Sequence, residues 1–303
     1  MDEMVVQTAG LTKQYGKAKA LDGVGIEIPR GEIYGLVGQN GAGKTTLIRL
    51  LTGLARPTSG SLSLFGTSGS ALSRQRSRIG ALIEAPALSL DLSASQNLEA
   101  LRMQRGLAGR HWVDQALELV GLQDAGGKRA RDFSLGMRQR LGLAVALLGN
   151  PELLILDEPV NGLDPMWMTR IREELVRLTH EEGVTVLISS HLLAELDLFA
   201  TRYGFIHHGR LVRQLTAREL HQECQRTLRI TTNDQARAST VLEETLGIRG
   251  YRLGDDGQLM LADHLDDAAR INAALVQAGI QVSALEVRGA SLEEYFAELV
   301  KGA

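Results

Sequence analysis

Residues 38–45 have the types and spacing that suit the binding of a phosphate group. They read Gly-Gln-Asn-Gly-Ala-Gly-Lys-Thr and follow a short apolar run, Ile33–Val37, with the composition of a strand. We expect positive φ at Gly38, Gly41 and Gly43, which lets backbone N–H groups approach an anion. A helical sequence directly after the loop adds free N–H donors, the lysine adds a mobile charge, and the threonine hydroxyl can ligate Mg²⁺. This pattern, G-x-x-x-x-G-K-[ST], predicts a nucleotide-phosphate site formed by Gly38, Gln39, Asn40, Gly41, Ala42, Gly43, Lys44, Thr45 and Thr46.

Three more polar residues end apolar runs that are typical of buried strands. Asp157 and Glu158 follow residues 153–156, and His191 follows residues 185–190. Ligands gather at the carboxyl ends of parallel strands, so these side chains are expected near the phosphate loop. There Asp157 suits Mg²⁺, Glu158 suits a general base that activates water, and His191 could contact the γ-phosphate or hold that water. Singly, an acidic pair can be a polar strand exit and a histidine can be structural; together with the loop they predict hydrolysis of a nucleotide.

The elements that must position these residues alternate between strands and helices. Over roughly residues 4–215 this order predicts an α/β fold with a mostly parallel sheet, because the fully apolar strands suit a sheet covered on both faces. From about residue 88 to 148 the sequence is mainly helical, with a possible capping box at Ser93–Gln96. We therefore predict a helical insertion within an α/β domain.

Tyr15 lies upstream of the phosphate loop, in a segment predicted to be a loop over Thr12–Lys17. Short strands are predicted on either side, at residues 5–9 and 25–28. A tyrosine in this position can be half-buried beside a strand, or it can offer its ring to a nucleotide base. The residues alone leave both alternatives open.

Composition narrows the functional classes. The chain has 303 residues, a formal net charge of −3 and one cysteine, Cys224. This charge favours no nucleic-acid partner, and the basic clusters at 74–78 and 128–131 suit solvated loops. A single cysteine suits a reducing compartment. Apolar runs fall short of the roughly 18 residues that span a bilayer, and the N-terminus lacks a signal-peptide pattern. We expect a soluble, cytoplasmic protein whose membrane part, if any, is another chain.

With its motifs in this order, the chain resembles the nucleotide-binding subunit of an ATP-binding cassette (ABC) transporter over residues 4–215. Phe133–Arg140 resembles the ABC signature, Asn161–Asp164 the D-loop, and Ser189–His191 the switch histidine. The resemblance implies a phosphate-loop NTPase fold of ABC type, in which a RecA-like core carries the helical insertion as a subdomain. It also implies an ATPase that uses ATP and Mg²⁺, and it implies that Tyr15 stacks on adenine.

The resemblance further implies a homodimer in which two copies pair head to tail in the presence of ATP. Each ATP would lie between one phosphate loop and five residues of the partner copy, which are Ser134, Leu135, Gly136, Met137 and Asp164. Leu135 and Met137 replace a glycine and a glutamine of the usual signature. Ser134 and Gly136 remain and suit an anion-binding helix end, so we expect competence to hydrolyse ATP. A separate membrane-spanning permease is also implied, with this chain peripheral on the cytoplasmic face of the membrane.

Glu84 differs from the residue that the family usually has at this position, and the difference leads to a prediction. It follows a predicted strand over residues 79–83, where the family usually has a glutamine that reaches Mg²⁺ and the membrane partner. We predict a metal site formed by Thr45, Asp157 and Glu84, with the extra negative charge affecting rate and metal dependence. The glutamate is similar to that of the bacitracin- and lantibiotic-type exporters of antimicrobial peptides.

Residues 216–303 are predicted to form a second domain. The expected order is strand 227–232, helix 235–246, strand 248–253, a turn at 255–257, strand 258–262, helix 266–278 and strand 281–287. This β-α-β-β-α-β order predicts a small ferredoxin-like accessory domain, followed by a helix capped at Ser291. The domain shows no catalytic constellation; a packing or regulatory role is expected, and dimerisation is a hypothesis.

The function predicted from these observations is ATP hydrolysis that powers a separate membrane-spanning subunit, with export of a drug or an antimicrobial peptide. The alternative is a non-transport ABC ATPase that acts as a regulatory scaffold or as a soluble translation or repair factor. A scaffold needs no base such as Glu158. Translation and repair factors typically have two cassettes or a coiled-coil insertion, whereas this sequence has one phosphate loop and one signature.

Overall fold

The computed structural model describes residues 3–159, 164–224, 227–253, 258–262, 264–289 and 291–301. The chain divides into two compact units, one that extends to Ala217 and one over Arg218–Leu299, each with its own hydrophobic core. No helix of the described ranges has the length and apolar character needed to cross a bilayer. Residues 161–163 of the predicted D-loop and the predicted turn at 255–257 lie outside those ranges.

The first unit contains a mixed set of strands and helices in the following order: β1 (Met4–Tyr15), β2 (Ala18–Val24), β3 (Glu27–Pro29), β4 (Ile33–Val37), α1 (Lys44–Thr52), β5 (Ser59–Leu64), β6 (Thr67–Ser68), α2 (Leu72–Gln75), β7 (Ile79–Leu82), α3 (Ala94–Gln104), α4 (His111–Leu119), α5 (Leu135–Leu147), β8 (Leu153–Asp157), α6 (Pro165–Glu182), β9 (Thr185–Ser190), α7 (Leu193–Leu196), β10 (Arg202–His207) and β11 (Arg210–Thr216). The strands predicted at residues 33–37, 79–83, 153–156 and 185–190 are present as β4, β7, β8 and β9, with ends that differ by at most one residue.

The central sheet has six strands in the order β11-β10-β4-β9-β8-β7. The pairs from β10 to β7 are parallel, and β11 is antiparallel to β10. Strands β4, β8 and β9 are buried along their whole length, which explains their apolar sequences. Their carboxyl ends lie at one edge of the sheet, so the loop after β4 adjoins the ends of β8 and β9. The predicted parallel sheet is confirmed.

A second, antiparallel sheet corrects the expectation for the start of the chain. β1 continues through the predicted loop as far as Tyr15 and forms a hairpin with β2, a strand that the sequence did not predict. The hairpin turns at Gly16, where φ is 59°. Its outer half is mostly exposed, so backbone pairing rather than an apolar pattern defines it. The prediction failed because hydrophobic periodicity reports burial, and this hairpin has little.

The helical insertion consists of α3, α4 and α5. The predicted capping box is present, because the Ser93 hydroxyl accepts a hydrogen bond from the Gln96 N–H at 3.2 Å and the Gln96 side chain accepts one from the Ser93 N–H at 2.8 Å. The last helix, α5, begins at Leu135 with Ser134 as its N-cap residue. The signature segment therefore forms the start of a helix.

The second unit comprises α8 (Ala217–Cys224), β12 (Thr227–Thr232), α9 (Gln235–Thr240) with a π-helical continuation (Val241–Thr245), β13 (Tyr251–Leu253), β14 (Leu259–Leu261), α10 (Ala268–Gln277), β15 (Val282–Arg288) and α11 (Leu292–Lys301). Its sheet has the order β13-β14-β12-β15, with every neighbouring pair antiparallel. Leu228 and Ile230 of β12 form a core with Leu242 and with Ile271 of α10. The predicted ferredoxin-like arrangement is confirmed, and α8 is an element that the sequence did not predict.

Candidate nucleotide-binding site

The loop between β4 and α1 requires glycine at three positions, but for two different reasons. Gly41 and Gly43 have φ of 80° and 114°, as expected from the sequence. Gly38 does not have positive φ, which corrects that expectation. At Gly38 the constraint is space, because a Cβ there would lie 2.6 Å from the carbonyl oxygen of Ile206. A Cβ on Gly43 would likewise lie 2.8 Å from the Ala20 carbonyl oxygen, so the loop is packed closely on its supporting strands.

Lys44 is buried at the base of this loop, with 6% of the residue exposed. Its ammonium group donates a hydrogen bond to the Gly38 carbonyl oxygen at 2.6 Å and lies 3.2 Å from Oε1 of Glu158. The charge is therefore held inside the loop beside a carboxylate. The cavity above is lined by Ala20, Gln39, Asn40, Gly41, Gly43, Lys44, Thr45, Thr46 and Glu158. Ala42 is buried, and its N–H donates to the Gln39 carbonyl oxygen at 3.1 Å.

Asp157 is held by two hydroxyl groups at the carboxyl end of β8. Its Oδ2 accepts a hydrogen bond from the Thr45 hydroxyl at 2.7 Å, and its Oδ1 accepts one from the Ser189 hydroxyl at 2.6 Å. The Ser189 hydroxyl also accepts a hydrogen bond from the Glu158 N–H at 3.0 Å. Ser189 thus links the two acidic residues. The sequence indicates this role of Ser189 only weakly, through a polar residue at the end of an apolar strand.

Glu158 has a left-handed backbone, with φ of 50°. Such a conformation is uncommon for residues other than glycine and occurs often at functional sites. Its Oε2 lies 2.7 Å from Nδ1 of His191, whereas its buried Oε1 is paired with the Lys44 ammonium group at 3.2 Å. The structure therefore brings Glu158, His191 and Lys44 together. A carboxylate in this position, with a histidine to orient it, can accept a proton from water at the phosphate loop.

The oxygen atoms of Thr45 and Asp157 provide a fit for Mg²⁺. The ion prefers hard oxygen ligands and takes few of them from protein when phosphates and water supply the rest. The adjoining loop offers a phosphate site, which completes such a ligand set. Glu84, the third predicted ligand, instead accepts a hydrogen bond from Arg49 at 2.7 Å, and no contact among the described residues joins it to Thr45 or Asp157. A metal role for Glu84 stays a prediction.

The signature residues lie apart from the cavity of their own phosphate loop. The Ser134 hydroxyl accepts a hydrogen bond from the Met137 N–H at 3.2 Å, and Leu135 is 63% exposed. Gly136 is half-buried in the first turn of α5. In the part of the chain that the structure describes, no residue of the signature Phe133–Arg140 lines the phosphate-loop cavity. Asp164 is the N-cap residue of α6, where its carboxylate accepts from a backbone N–H at 3.1 Å.

Tyr15 lies near the end of the β1–β2 hairpin, and 49% of the residue is exposed. The Lys13 ammonium group lies 4.8 Å from the centre of its ring, within the range of a cation–π contact. Another residue of this hairpin, Ala20, lines the phosphate-loop cavity. The exposure of Tyr15 therefore favours a ring that is open to a ligand over a tyrosine half-buried beside a strand. Stacking of that ring on adenine stays a prediction.

The phosphate loop between a buried strand and a helix, with two acidic residues at the carboxyl end of β8 in the same sheet, defines a phosphate-loop nucleotide hydrolase. The family model for ABC transporters matches residues 21–161. The chain is 38% identical over 301 residues to the bacitracin transport ATP-binding protein BcrA of Enterococcus faecalis, covering 99% of this chain and 97% of the relative. It is 41% identical over 208 residues to the lantibiotic transport ATP-binding protein SrtF of Streptococcus pyogenes, covering 69% and 89%. The chain belongs to the family of ABC transporter ATP-binding proteins.

Solved structures agree with this assignment. An ATP-binding subunit of an ABC transporter matches with a TM-score of 0.67 at 27% identity, covering 72% of this chain and 92% of that one. A dimeric bacterial ABC transporter cassette matches with a TM-score of 0.65 at 25% identity, covering 70% and 98%. These matches confirm the ABC-type fold predicted from the motifs. The chain is an ATP-binding and ATP-hydrolysing subunit of an ABC transporter.

Proposed function

We propose that this ATPase powers the export of an antimicrobial peptide through a separate membrane-spanning subunit. The observation that carries the proposal is the match to bacitracin transport ATP-binding proteins over nearly the whole chain, including the second unit. A match confined to the cassette would be shared with ABC proteins of many functions. The lantibiotic transport relative is matched over only 69% of this chain, so it adds less to the proposal than the two relatives matched over nearly the whole chain.

The geometry supports a division of roles within the ATP site. Backbone N–H groups of the phosphate loop and the Lys44 ammonium bind the phosphates, while Thr45 and Asp157 hold Mg²⁺. Bound Mg²⁺ supplies neutralisation of the developing phosphate charge. Glu158 accepts the proton of the attacking water through its carboxylate, which lines the phosphate-loop cavity beside the Lys44 ammonium group. His191 holds Oε2 of the same carboxylate and thereby orients it.

A head-to-tail homodimer is part of the proposal. Ser134 and Leu135 of the signature are exposed, and no described residue of the signature lines the phosphate-loop cavity, so the chain supplies both halves of an ATP site without joining them. Two copies that exchange these halves would complete two sites, with Ser134, Leu135, Gly136, Met137 and Asp164 facing the partner's ATP. Because the partner permease spans the membrane, the subunit would be peripheral on its cytoplasmic face, and residues 88–130 would meet the permease. Residues 1–215 would form the ATPase domain and residues 216–303 the accessory domain.

The first test combines enzymology with resistance. Purified wild-type protein with Mg²⁺ is compared with Glu158→Gln, and Glu173→Gln on the exposed face of α6 is the matched control. We expect Glu158→Gln to lose turnover and keep ATP binding, while the control keeps both. The same variants, expressed with their permease in a bacitracin-sensitive strain, should lose and keep resistance in parallel. Full resistance with Glu158→Gln would contradict the proposal that hydrolysis drives export.

The dimer has its own test in a mixture of two inactive variants. Lys44→Ala disables the phosphate loop, and Ser134→Ala disables the signature. In a mixed dimer one composite site contains both changes and the other contains neither. Mixing should therefore restore ATPase activity if Ser134 acts across the dimer. A mixture that stays as inactive as its components would contradict the exchange of halves.

A further inference from the structure

Arg49 and Glu84 form an ion pair that connects the phosphate-loop helix to the segment after β7. Nη2 of Arg49 lies 2.7 Å from Oε1 of Glu84. Arg49 belongs to α1, the helix that begins at Lys44. Glu84 has φ of 56°, a left-handed conformation that residues other than glycine seldom adopt. Such a backbone persists where its surroundings fix it, so the direction in which the Glu84 side chain leaves the main chain is constrained.

The pair lies on the same face of α1 as the candidate metal site. Thr45 and Arg49 are separated by four residues, which places them on one helix face about 6 Å apart along the axis. The Thr45 hydroxyl contacts Asp157 and the Arg49 guanidinium contacts Glu84. The Glu84 carboxylate is therefore paired with a residue that lies one helical turn along α1 from Thr45. To become a ligand at roughly 2.0–2.1 Å from Mg²⁺, the carboxylate would have to move towards Thr45 and Asp157, and its contact with Arg49 opposes that movement.

We propose that Arg49 is a positioning residue that withholds Glu84 from the metal site, so that Arg49 and the divalent cation compete for one carboxylate. The inference rests on the proposed Mg²⁺ site of Thr45 and Asp157. The side chains of Arg49 and Glu84 are 41% and 57% exposed, so the ion pair is weak enough for a cation to displace.

The test measures cation affinity without turnover. The full-length protein is titrated with Mn²⁺ in the presence of ADP, and free Mn²⁺ is followed by electron paramagnetic resonance. Wild type is compared with Arg49→Gln, Arg49→Lys, Glu84→Gln and the double variant Arg49→Gln/Glu84→Gln. Arg56→Gln, which removes the same charge from the exposed loop after α1, is the matched control.

We expect Arg49→Gln to bind Mn²⁺ about 1.4- to 5-fold more tightly than wild type, the range that an exposed ion pair allows. Arg49→Lys should stay near wild type, because it keeps the cation that holds Glu84. In the Glu84→Gln background, Arg49→Gln should change the affinity by less than about 1.4-fold.

Three results would overturn the inference. One is an unchanged or weaker Mn²⁺ affinity in Arg49→Gln. Another is an equal gain in the Glu84→Gln background or in Arg56→Gln, since either would show a general charge effect. The third is wild-type protein that binds ADP but shows no nucleotide-dependent binding of Mn²⁺, which would contradict the proposed metal site itself. These Mn²⁺ measurements do not depend on which substrate is exported. A result that contradicts peptide export would therefore not contradict the role of Arg49, and the two proposals can be distinguished.

Discussion

Replacing Ser189 with alanine tests whether one buried hydroxyl positions both acidic residues of the site. Ser189 is fully buried at the end of β9. Its hydroxyl donates to Oδ1 of Asp157 at 2.6 Å and accepts from the Glu158 N–H at 3.0 Å. In Ser189→Ala the carboxylate of Asp157 loses a donor. The Glu158 N–H keeps only the longer bond, 3.3 Å, to the carbonyl oxygen of residue 189.

The expected cost follows from the charge of the acceptor. A hydrogen bond to a charged group contributes about 1.5–3 kcal/mol to the free energy of unfolding. For a domain of this size each kcal/mol lowers the melting temperature by about 2–4 °C, so a decrease of about 3–12 °C is expected. If the same energy is lost from the transition state, kcat falls about tenfold to hundredfold.

The assay measures thermal unfolding and ATPase turnover of the same preparations. Ser190→Ala is the matched control, because its hydroxyl is also buried but contacts Glu195 at 3.2 Å and the Leu192 N–H at 3.0 Å. We expect the control to lose stability and to keep kcat within about threefold of wild type. The reasoning is refuted if Ser189→Ala turns over at the wild-type rate, or if both variants lose kcat equally.

Three other predictions concern packing, pH and base stacking. Gly80→Ala should lower the free energy of unfolding by about 1–3 kcal/mol in denaturant titrations, because the new methyl group would overlap a backbone carbonyl oxygen of α5. Gly25→Ala, whose nearest atom is 3.5 Å away, is its control. The hydrogen bond from Arg78 lowers the pKa of Glu152 below its ordinary 4.5. The stability from this pair is present above pH 4.5 and lost as pH falls through the lowered pKa. Melting curves of wild type and Glu152→Gln should therefore converge in acid, and a constant gap would contradict the assignment. Tyr15→Ala should weaken ATP binding by about 1–3 kcal/mol in equilibrium titrations, with Tyr15→Phe near wild type; equal losses would argue against stacking.

The phosphate loop could be predicted because its chemistry is contiguous in the chain. Residues 38–45 need only the strand before them and the helix after them, and both follow from local composition. Buried strands such as β8 could also be predicted, because a short apolar run between polar residues is typical of a strand covered on both faces. The helix cap at Ser93 was recognisable for the same reason, since a capping box lies within four residues.

What only the tertiary structure decided depends on residues distant in sequence. Ser189 and Asp157 meet because β8 and β9 are neighbours in the parallel sheet, and a polar residue at a strand end does not reveal its partner. Gly38 needs glycine because of a carbonyl oxygen at Ile206. Glu84 was assigned from its place in a motif, whereas its contact with Arg49 depends on how the segment after β7 returns over α1. The sequence determined which chemical groups the site contains, because local patterns specify strands, loops and caps. The packing of the sheet and of α1 decided which of those groups touch.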